Sequence, residues 1–286
     1  MLKDIKAQRN NKHYLRKVKN SLALGDDYIS RFLRTNGALE QLLSVTLRSV
    51  ESSCQLEALA CFTNLACGDH KATFRVLRCA GPYLITFLNG SNPFLQARSS
   101  IYPQVIDMAV LALQAYAQSP ADIIQDLVTR GLLKHLLPLF DRDSAKPDFI
   151  GQLGWITFYA YSNDSVQVED MDCTARLCHT VANKMVHYSL APQENSAALA
   201  SLLVCLATWS SRSCDLASAL AGMAGMVAAL GRLLEAPYLH LRREALWLMH
   251  CLSGPLAQYD LADISAAING IVPLLTPGAE YITEQA

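Results

Sequence analysis

A glycine followed by a leucine-rich helical segment recurs along this chain at a nearly constant interval. Its five copies begin at Gly37, Gly81, Gly131, Gly225 and Gly270, which are 44, 50, 94 and 45 residues apart. The interval of 94 residues is two units of 47. Because a pair of short helices cannot bury its own apolar faces, copies with this period are expected to stack on one another.

The second helix of each unit measures the same period independently. The segments QLEALACFTNLACG, VIDMAVLALQAYAQ, IGQLGWITFYAYSN, SAALASLLVCLATW and RREALWLMHCLSG align with Ala60, Leu111, Trp155, Ser201 and Trp247 at one position. These residues are 51, 44, 46 and 46 apart. A helical repeat of roughly 40–47 residues has the armadillo or HEAT size. The sequence therefore predicts an all-α protein, a right-handed α-solenoid of about five to six armadillo-type repeats.

The predicted solenoid covers residues 25–286. Its units lie near 37–80, 81–122, 123–172, 173–224 and 225–269, with a partial unit at 270–286. No opening glycine marks the fourth unit. In the fifth, Pro237 separates two helices, and Ser253-Gly254-Pro255 is expected to end the second. Since the chain stops in mid-unit without a capping repeat, we expect a fragment, a splice form or an incomplete gene model.

The first 24 residues differ from the rest in charge. Residues 1–20 contain seven Lys and Arg residues against the single acid Asp4, and the sequence shows no apolar face worth packing. We predict a mobile or conditionally helical basic arm, whose main candidates are Lys12, Arg16, Lys17 and Lys19. The arm is either a solvated charged helix or a segment that orders on an acidic partner. It lacks the interleaved aromatic residues of a single-stranded nucleic-acid binder, so no direct nucleic-acid partner is expected.

Composition indicates a large buried core and argues against catalysis. The chain is 51% apolar and 17% charged, with a net charge of −1. Nine cysteines without CxxC pairs and without a signal peptide indicate a reduced, intracellular protein that uses Cys as small core residues. Cys173, Cys178 and His179 match no common zinc spacing, which favours a buried Cys pair. No catalytic motif is present, so we predict no enzyme, metal or cofactor.

One apolar stretch raises the question of a membrane. Residues 216–231 run for 16 residues without a charge, which is short of the ~20 that a span needs. Since the repeat register also includes them, we predict a buried helix. A membrane anchor at residues 214–231 stays as an alternative.

Two of these segments resemble a known family. QLEALACFTNLACG and residues 225–254 resemble the repeats of importin-α, the adaptor that carries nuclear-localisation peptides. The N-terminal half more closely resembles a divergent importin-α-like family named for transmembrane and coiled-coil segments. Residues 15–19 are similar to part of an importin-β-binding segment. The resemblance implies a Trp on each second helix and, four residues later, an Asn that binds the backbone of an extended peptide, while the indoles hold Lys side chains.

Only part of this ladder is present here. The Trp positions are Ala60, Leu111, Trp155, Ser201 and Trp247, and the Asn positions are Asn64, Ala115, Tyr159, Cys205 and Cys251. With the acids one turn earlier, the candidate groove residues are Glu57, Asn64, Asp107, Trp155, Tyr159, Glu244, Trp247 and Cys251. The two Trp residues could equally pack in the core or groove wall, and Asn64 could be a surface amide or a local cap. We expect a groove for an extended or helical peptide that does not hold a localisation signal as an intact ladder does.

The leading hypothesis is a non-enzymatic adaptor of importin-α type in nuclear protein import, present in cytoplasm and nucleus. Its groove would bind a peptide, and its basic arm would contact an importin-β-type carrier or fold back into the groove. The alternatives are an armadillo scaffold unrelated to transport, and a membrane-associated protein.

Overall fold

A computed structural model describes residues 11–49, 51–88, 102–142 and 146–256. This part of the chain contains fourteen α-helices and no strand. The helices are α1 Lys12–Leu22, α2 Asp26–Arg34, α3 Ala38–Arg48, α4 Ser52–Leu65, α5 His70–Leu88, α6 Tyr102–Ala117, α7 Ala121–Thr129, α8 Leu132–Phe140, α9 Pro147–Ser162, α10 Met171–Tyr188, α11 Ser196–Arg212, α12 Cys214–Ala221, α13 Met226–Leu234 and α14 Leu239–Leu256. The start of the basic arm and the partial sixth unit lie outside the described residues.

The helices form two compact units, residues 1–136 and 137–286, each with its own core. In the first unit, α4 packs between α1 and α6. In the second, α11 packs between α9 and α14. The helices α4, α6, α9, α11 and α14 carry the aligned Trp and Asn positions, and we call them the ladder helices.

Three of the glycines that mark the predicted repeat make corners between short helices. Gly37, Gly131 and Gly225 have φ angles of 74°, 86° and 80°, and each immediately precedes a helix. Glycine adopts this left-handed conformation without the steric cost that a Cβ brings. The predicted helix starts at these three glycines are therefore confirmed. A further short helix precedes each corner, namely α2, α7 and α12.

The prediction that Gly81 opens a helix is wrong. Helix α5 begins at His70 and continues through Gly81 and Pro82 to Leu88. A Gly-Pro pair suggested a start because Pro suits the first turn of a helix. Here both halves of the helix are anchored in the core, with Val76 before the pair and Leu84 after it almost fully buried. The fourth unit has no corner glycine, and it likewise has one continuous helix, α10, where other units have two short helices around a corner.

The apolar stretch 216–231 is not one helix. It forms the end of α12 and the start of α13, which are bent by 87° at the break that contains Gly225. Among the described residues no single helix is long and apolar enough to cross a membrane, although this bent pair would qualify by its combined length and composition.

Helix α14 extends further than predicted. It runs through Gly254 and Pro255 to Leu256, so the predicted end at Ser253 is wrong. A proline in the last turn removes only the hydrogen bond to the carbonyl of Cys251, which costs less there than in the middle of a helix.

The cysteines are divided between core and surface. Buried positions are Cys54, Cys61, Cys173, Cys178 and Cys205, whereas Cys67 and Cys214 are exposed. The predicted use of Cys as a small core residue is therefore confirmed for five and wrong for two. Burial raises the pKa of the Cys61 and Cys178 thiols to about 12, so both are protonated at neutral pH.

Candidate peptide-binding face

Residues 12–22 of the basic segment form a packed helix rather than a mobile arm. Asn11 begins α1 by accepting a hydrogen bond from the Tyr14 N–H at 3.2 Å. Leu15, Val18 and Leu22 are at most 5% exposed, and α1 packs on α4. Their spacing of three and four residues is a helical apolar stripe, so the prediction that this segment lacks an apolar face was wrong. The lysines and arginines between them obscured it.

Two of the basic residues on α1 pair with the acid predicted for the groove. The Arg16 Nε and Lys19 Nζ atoms donate to the two Glu57 carboxylate oxygens at 2.8 and 2.7 Å. Burial raises the pKa of Glu57, but hydrogen bonds from Lys19 and Arg16 outweigh burial and lower the pKa below its usual value. Glu57 is therefore charged at neutral pH, and its charge is compensated within the chain.

Asn64 binds a main-chain carbonyl, and that carbonyl belongs to α1. Its Nδ2 donates to the Lys19 oxygen at 2.8 Å, which also accepts from the Ala23 N–H at 3.1 Å. Asn64 is thus neither a solvated surface amide nor a local cap. Together with Glu57 it uses the expected chemistry, a backbone contact and a charge pair, to hold this chain's own helix.

A cleft of about 460 Å³ opens between α1, α4 and α6. Its lining includes the aliphatic side chains of Leu56, Ala60 and Met108, together with Lys12 and the paired Lys19 and Glu57. Asp107, the acid predicted on α6, is exposed and does not line this cleft. The first unit therefore presents a shallow aliphatic surface with positive charge beside it.

The second unit presents aromatic side chains instead. Trp155 and Tyr159 on α9 are half-buried, with ring centroids 6.3 Å apart and planes inclined by 33°. Phe158 contacts both rings, at 5.8 Å from Trp155 and 5.3 Å from Tyr159. Phe158 was missed because the ladder comparison considers only positions four residues apart, although its neighbours in WITFYAY pointed to an aromatic cluster.

The ladder positions on α11, Ser201 and Cys205, are inaccessible to a ligand because α9 and α11 pack closely there. A Cβ on Gly154 of α9 would lie 2.3 Å from Ser201 Oγ on α11. The Cys205 thiol donates to the Gly154 carbonyl at 3.0 Å. Ser201 and Cys205 are consequently at most 1% exposed and offer nothing to a ligand. The two glycines in IGQLG and the small residues on α11 were the signal for this contact.

Helix α14 carries the last set of candidates. Trp247 and Cys251 are half-buried one turn apart, and burial raises the pKa of the Cys251 thiol. The Glu244 side chain is 12% exposed, and its Oε1 accepts from Arg243 Nη2 at 2.6 Å. The second unit therefore has two aromatic positions, on α9 and α14, with α11 packed between them.

The predicted buried Cys pair is confirmed. Cys173 and Cys178 are buried, while His179 is exposed with its Nδ1 3.1 Å from Asn183 Nδ2. Within the described residues, no group of three His, Cys, Asp or Glu side chains is placed to hold a metal ion.

Comparison with known proteins shows the fold. No model of a known protein family and no curated protein matches the sequence. Solved structures do match it. A designed armadillo repeat protein, 19% identical, covers 86% of this chain and 94% of its own with a TM-score of 0.63. A second, in complex with a peptide (KR)4, is 20% identical with the same coverage and TM-score. A third, computationally designed for modular peptide recognition, is 19% identical with a TM-score of 0.62, covering 83% of this chain and 91% of its own. The chain is an all-α armadillo-type solenoid.

Proposed function

We propose that this chain is a non-enzymatic adaptor that binds an extended segment of a partner protein along the ladder helices of its second unit. The observation that carries the proposal is that Trp155 and Trp247 occupy equivalent ladder positions and are both half-buried. A half-buried indole keeps part of its ring for the aliphatic stem and charged head of a Lys or Arg.

Charge supports a basic segment. Glu244 lies one turn before Trp247, and among the described residues its ion pair is with Arg243, whose side chain is 52% exposed. Since an exposed pair is weak, a ligand cation can replace Arg243 at that carboxylate. One designed protein of the same fold is in complex with a peptide of alternating Lys and Arg.

Because Ser201 on α11 is buried, the ligand must reach from α9 to α14, which determines how far apart its two anchoring side chains are. Neighbouring helices pack 8–10 Å apart, so α9 and α14 are separated by roughly 16–20 Å. An extended chain covers about 3.3 Å per residue, so the two anchoring side chains of the ligand are about five or six residues apart.

The test is the affinity for a fluorescein-labelled peptide of alternating Lys and Arg, measured by anisotropy. Trp155→Ala and Trp247→Ala should each weaken binding about five- to thirtyfold, as expected for one lost cation–π contact. Tyr83→Ala is the matched control, because Tyr83 is a 42% exposed aromatic residue on α5. Equal effects of all three substitutions, or no binding by the unaltered chain, would refute the proposal.

We further propose a role in nuclear protein import, with an importin-β-type carrier as partner and residence in both cytoplasm and nucleus. The resemblance to importin-α motivates it. Lys12 and Lys17 on α1 support it, because both are exposed, whereas Arg16 and Lys19 are paired with Glu57.

Deleting residues 1–20 would remove the buried Leu15 and Val18 and uncover α4, so a gentler perturbation is needed. A pull-down of an importin-β-type carrier should succeed with the full chain and fail with Lys12→Glu/Lys17→Glu. Arg34→Glu/Arg48→Glu makes the same charge change on exposed residues elsewhere and should retain the carrier. Failure of the unaltered chain would remove the import role and leave peptide binding intact.

A further inference from the structure

A second surface of the first unit carries three exposed cations on one helix. The N-terminal half of α5 places Lys71, Arg75 and Arg78 on one exposed side, at spacings of four and three residues. With Leu39, Glu40 and Phe74 these residues line a cleft of about 510 Å³ between α3 and α5, which we call the basic cleft. None of its lining residues belongs to the cleft between α1, α4 and α6.

The three cations repel one another. Residues three and four apart on a helix are neighbours, and like charges at these spacings destabilise it. The first turn of α5 contains no acid, and Asp69 alone caps it by accepting from the Ala72 N–H at 2.7 Å. Among the described residues no salt bridge or side-chain hydrogen bond is formed by Lys71, Arg75 or Arg78. Their charges are therefore available to a ligand.

The floor of the cleft is apolar and held in place. Phe74 stacks on His70, with centroids 6.2 Å apart and planes inclined by 18°. His70 Nε2 is in turn 2.7 Å from Asp122 Oδ2, which fixes the imidazole at one end of the cleft. Leu39 is almost fully buried and closes the α3 side. An apolar side chain of a ligand would rest on Phe74 between the cations.

We propose that the basic cleft binds a short acidic segment of a partner protein, with carboxylates on either side of an apolar residue. Three cations and one acid, Glu40, leave the cleft a net positive charge that complements such a segment. Lys71 to Arg78 covers roughly 10 Å along the helix, which matches about three or four extended residues. A nucleic acid fits less well, because bases stack on a series of separate aromatic side chains, whereas the two rings described at this cleft, Phe74 and His70, stack on each other.

The probe is a fluorescein-labelled peptide in which Glu residues flank a single Leu, with a Lys version as reference. The unaltered chain should bind the Glu peptide more tightly than the Lys peptide, with an affinity that falls as salt rises. Arg75→Gln/Arg78→Gln should weaken binding about 10- to 100-fold, because two charge-assisted contacts are lost. Arg34→Gln/Arg48→Gln changes the net charge equally and should weaken it less than about threefold.

Glu40→Gln provides a result that misfolding cannot produce. Removing the one acid among the described lining residues should tighten binding of the Glu peptide about three- to tenfold. Equal losses in the two double variants, no gain for Glu40→Gln, or equal affinity for the Glu and Lys peptides would each overturn the proposal. Tighter binding of a labelled single-stranded oligonucleotide, lost in the same variants, would also overturn it in favour of a nucleic-acid site.

Discussion

Replacing Glu57 by Gln should loosen α1 from α4 without removing any apolar contact. The Glu57 side chain is 9% exposed, and its two cations differ in exposure, with Lys19 at 29% and Arg16 at 52%. A charge-assisted hydrogen bond at a largely buried site contributes about 1.5–2 kcal/mol, and a half-exposed pair up to ~1 kcal/mol. Because the neutral amide retains the shape and some of the hydrogen bonding, the loss is smaller than this sum, and we expect about 1–2 kcal/mol.

The assay is hydrogen exchange of the α1 amides, followed by mass spectrometry. A loss of about 1–2 kcal/mol in the free energy of local opening corresponds to exchange about 5- to 30-fold faster. The control is Asp126→Asn, which breaks the exposed pair between Asp126 and Arg130 within α7 and the residue after it. Such a pair contributes about 0.3–0.5 kcal/mol. If Glu57→Gln changes α1 exchange no more than Asp126→Asn does, the ion pair does not hold the helix.

Three further predictions concern pH and glycine. The pKa of Glu57 in the folded chain lies below the usual 4.5, so its stabilisation of α1 is complete above pH 4.5 and is lost as pH falls through the lower pKa. Exchange of the α1 amides, corrected for intrinsic rates, should therefore accelerate in that pH range. In Glu57→Gln the corrected exchange should not depend on pH. Gly154→Ala should lower the free energy of unfolding, measured in urea, by about 2–3 kcal/mol, because the new Cβ would overlap Ser201. At Gly254 no atom lies within 4 Å of an added Cβ, so Gly254→Ala should raise that free energy by about 0.5–1 kcal/mol. Gly225→Ala should cost about 1–2 kcal/mol, since its φ of 80° is strained for a residue with a Cβ.

The repeat period predicted the fold because several units share the same local features. A corner glycine and a leucine stripe are local requirements, so Gly37, Gly131 and Gly225 could be identified without knowledge of their neighbours. Whether a Gly-Pro pair ends a helix depends on what packs beside it. The prediction of a helix start at Gly81 was therefore wrong, because buried residues on both sides of Gly81 and Pro82 keep α5 continuous.

The candidate site was harder to predict because its state is set by contacts between distant residues. Glu57 and Asn64 were identified as polar groups on a ladder helix, but their partners on α1 are 38 to 45 residues away in the chain. Ser201 is buried because Gly154 has no side chain and lets the two helices approach closely. Nothing about Ser201 itself indicates this burial. The roles of the aromatic positions as ligand anchors stay predictions.

The most direct test of peptide binding along the second unit is a hydrogen-exchange footprint of the full chain with a saturating peptide of alternating Lys and Arg. We expect slower exchange confined to α9 and α14 around Trp155 and Trp247, with little change in α11 around the buried Ser201. Protection elsewhere with none on α9 and α14, or no protection at saturation, would contradict the assignment of these ladder helices as the peptide-binding face.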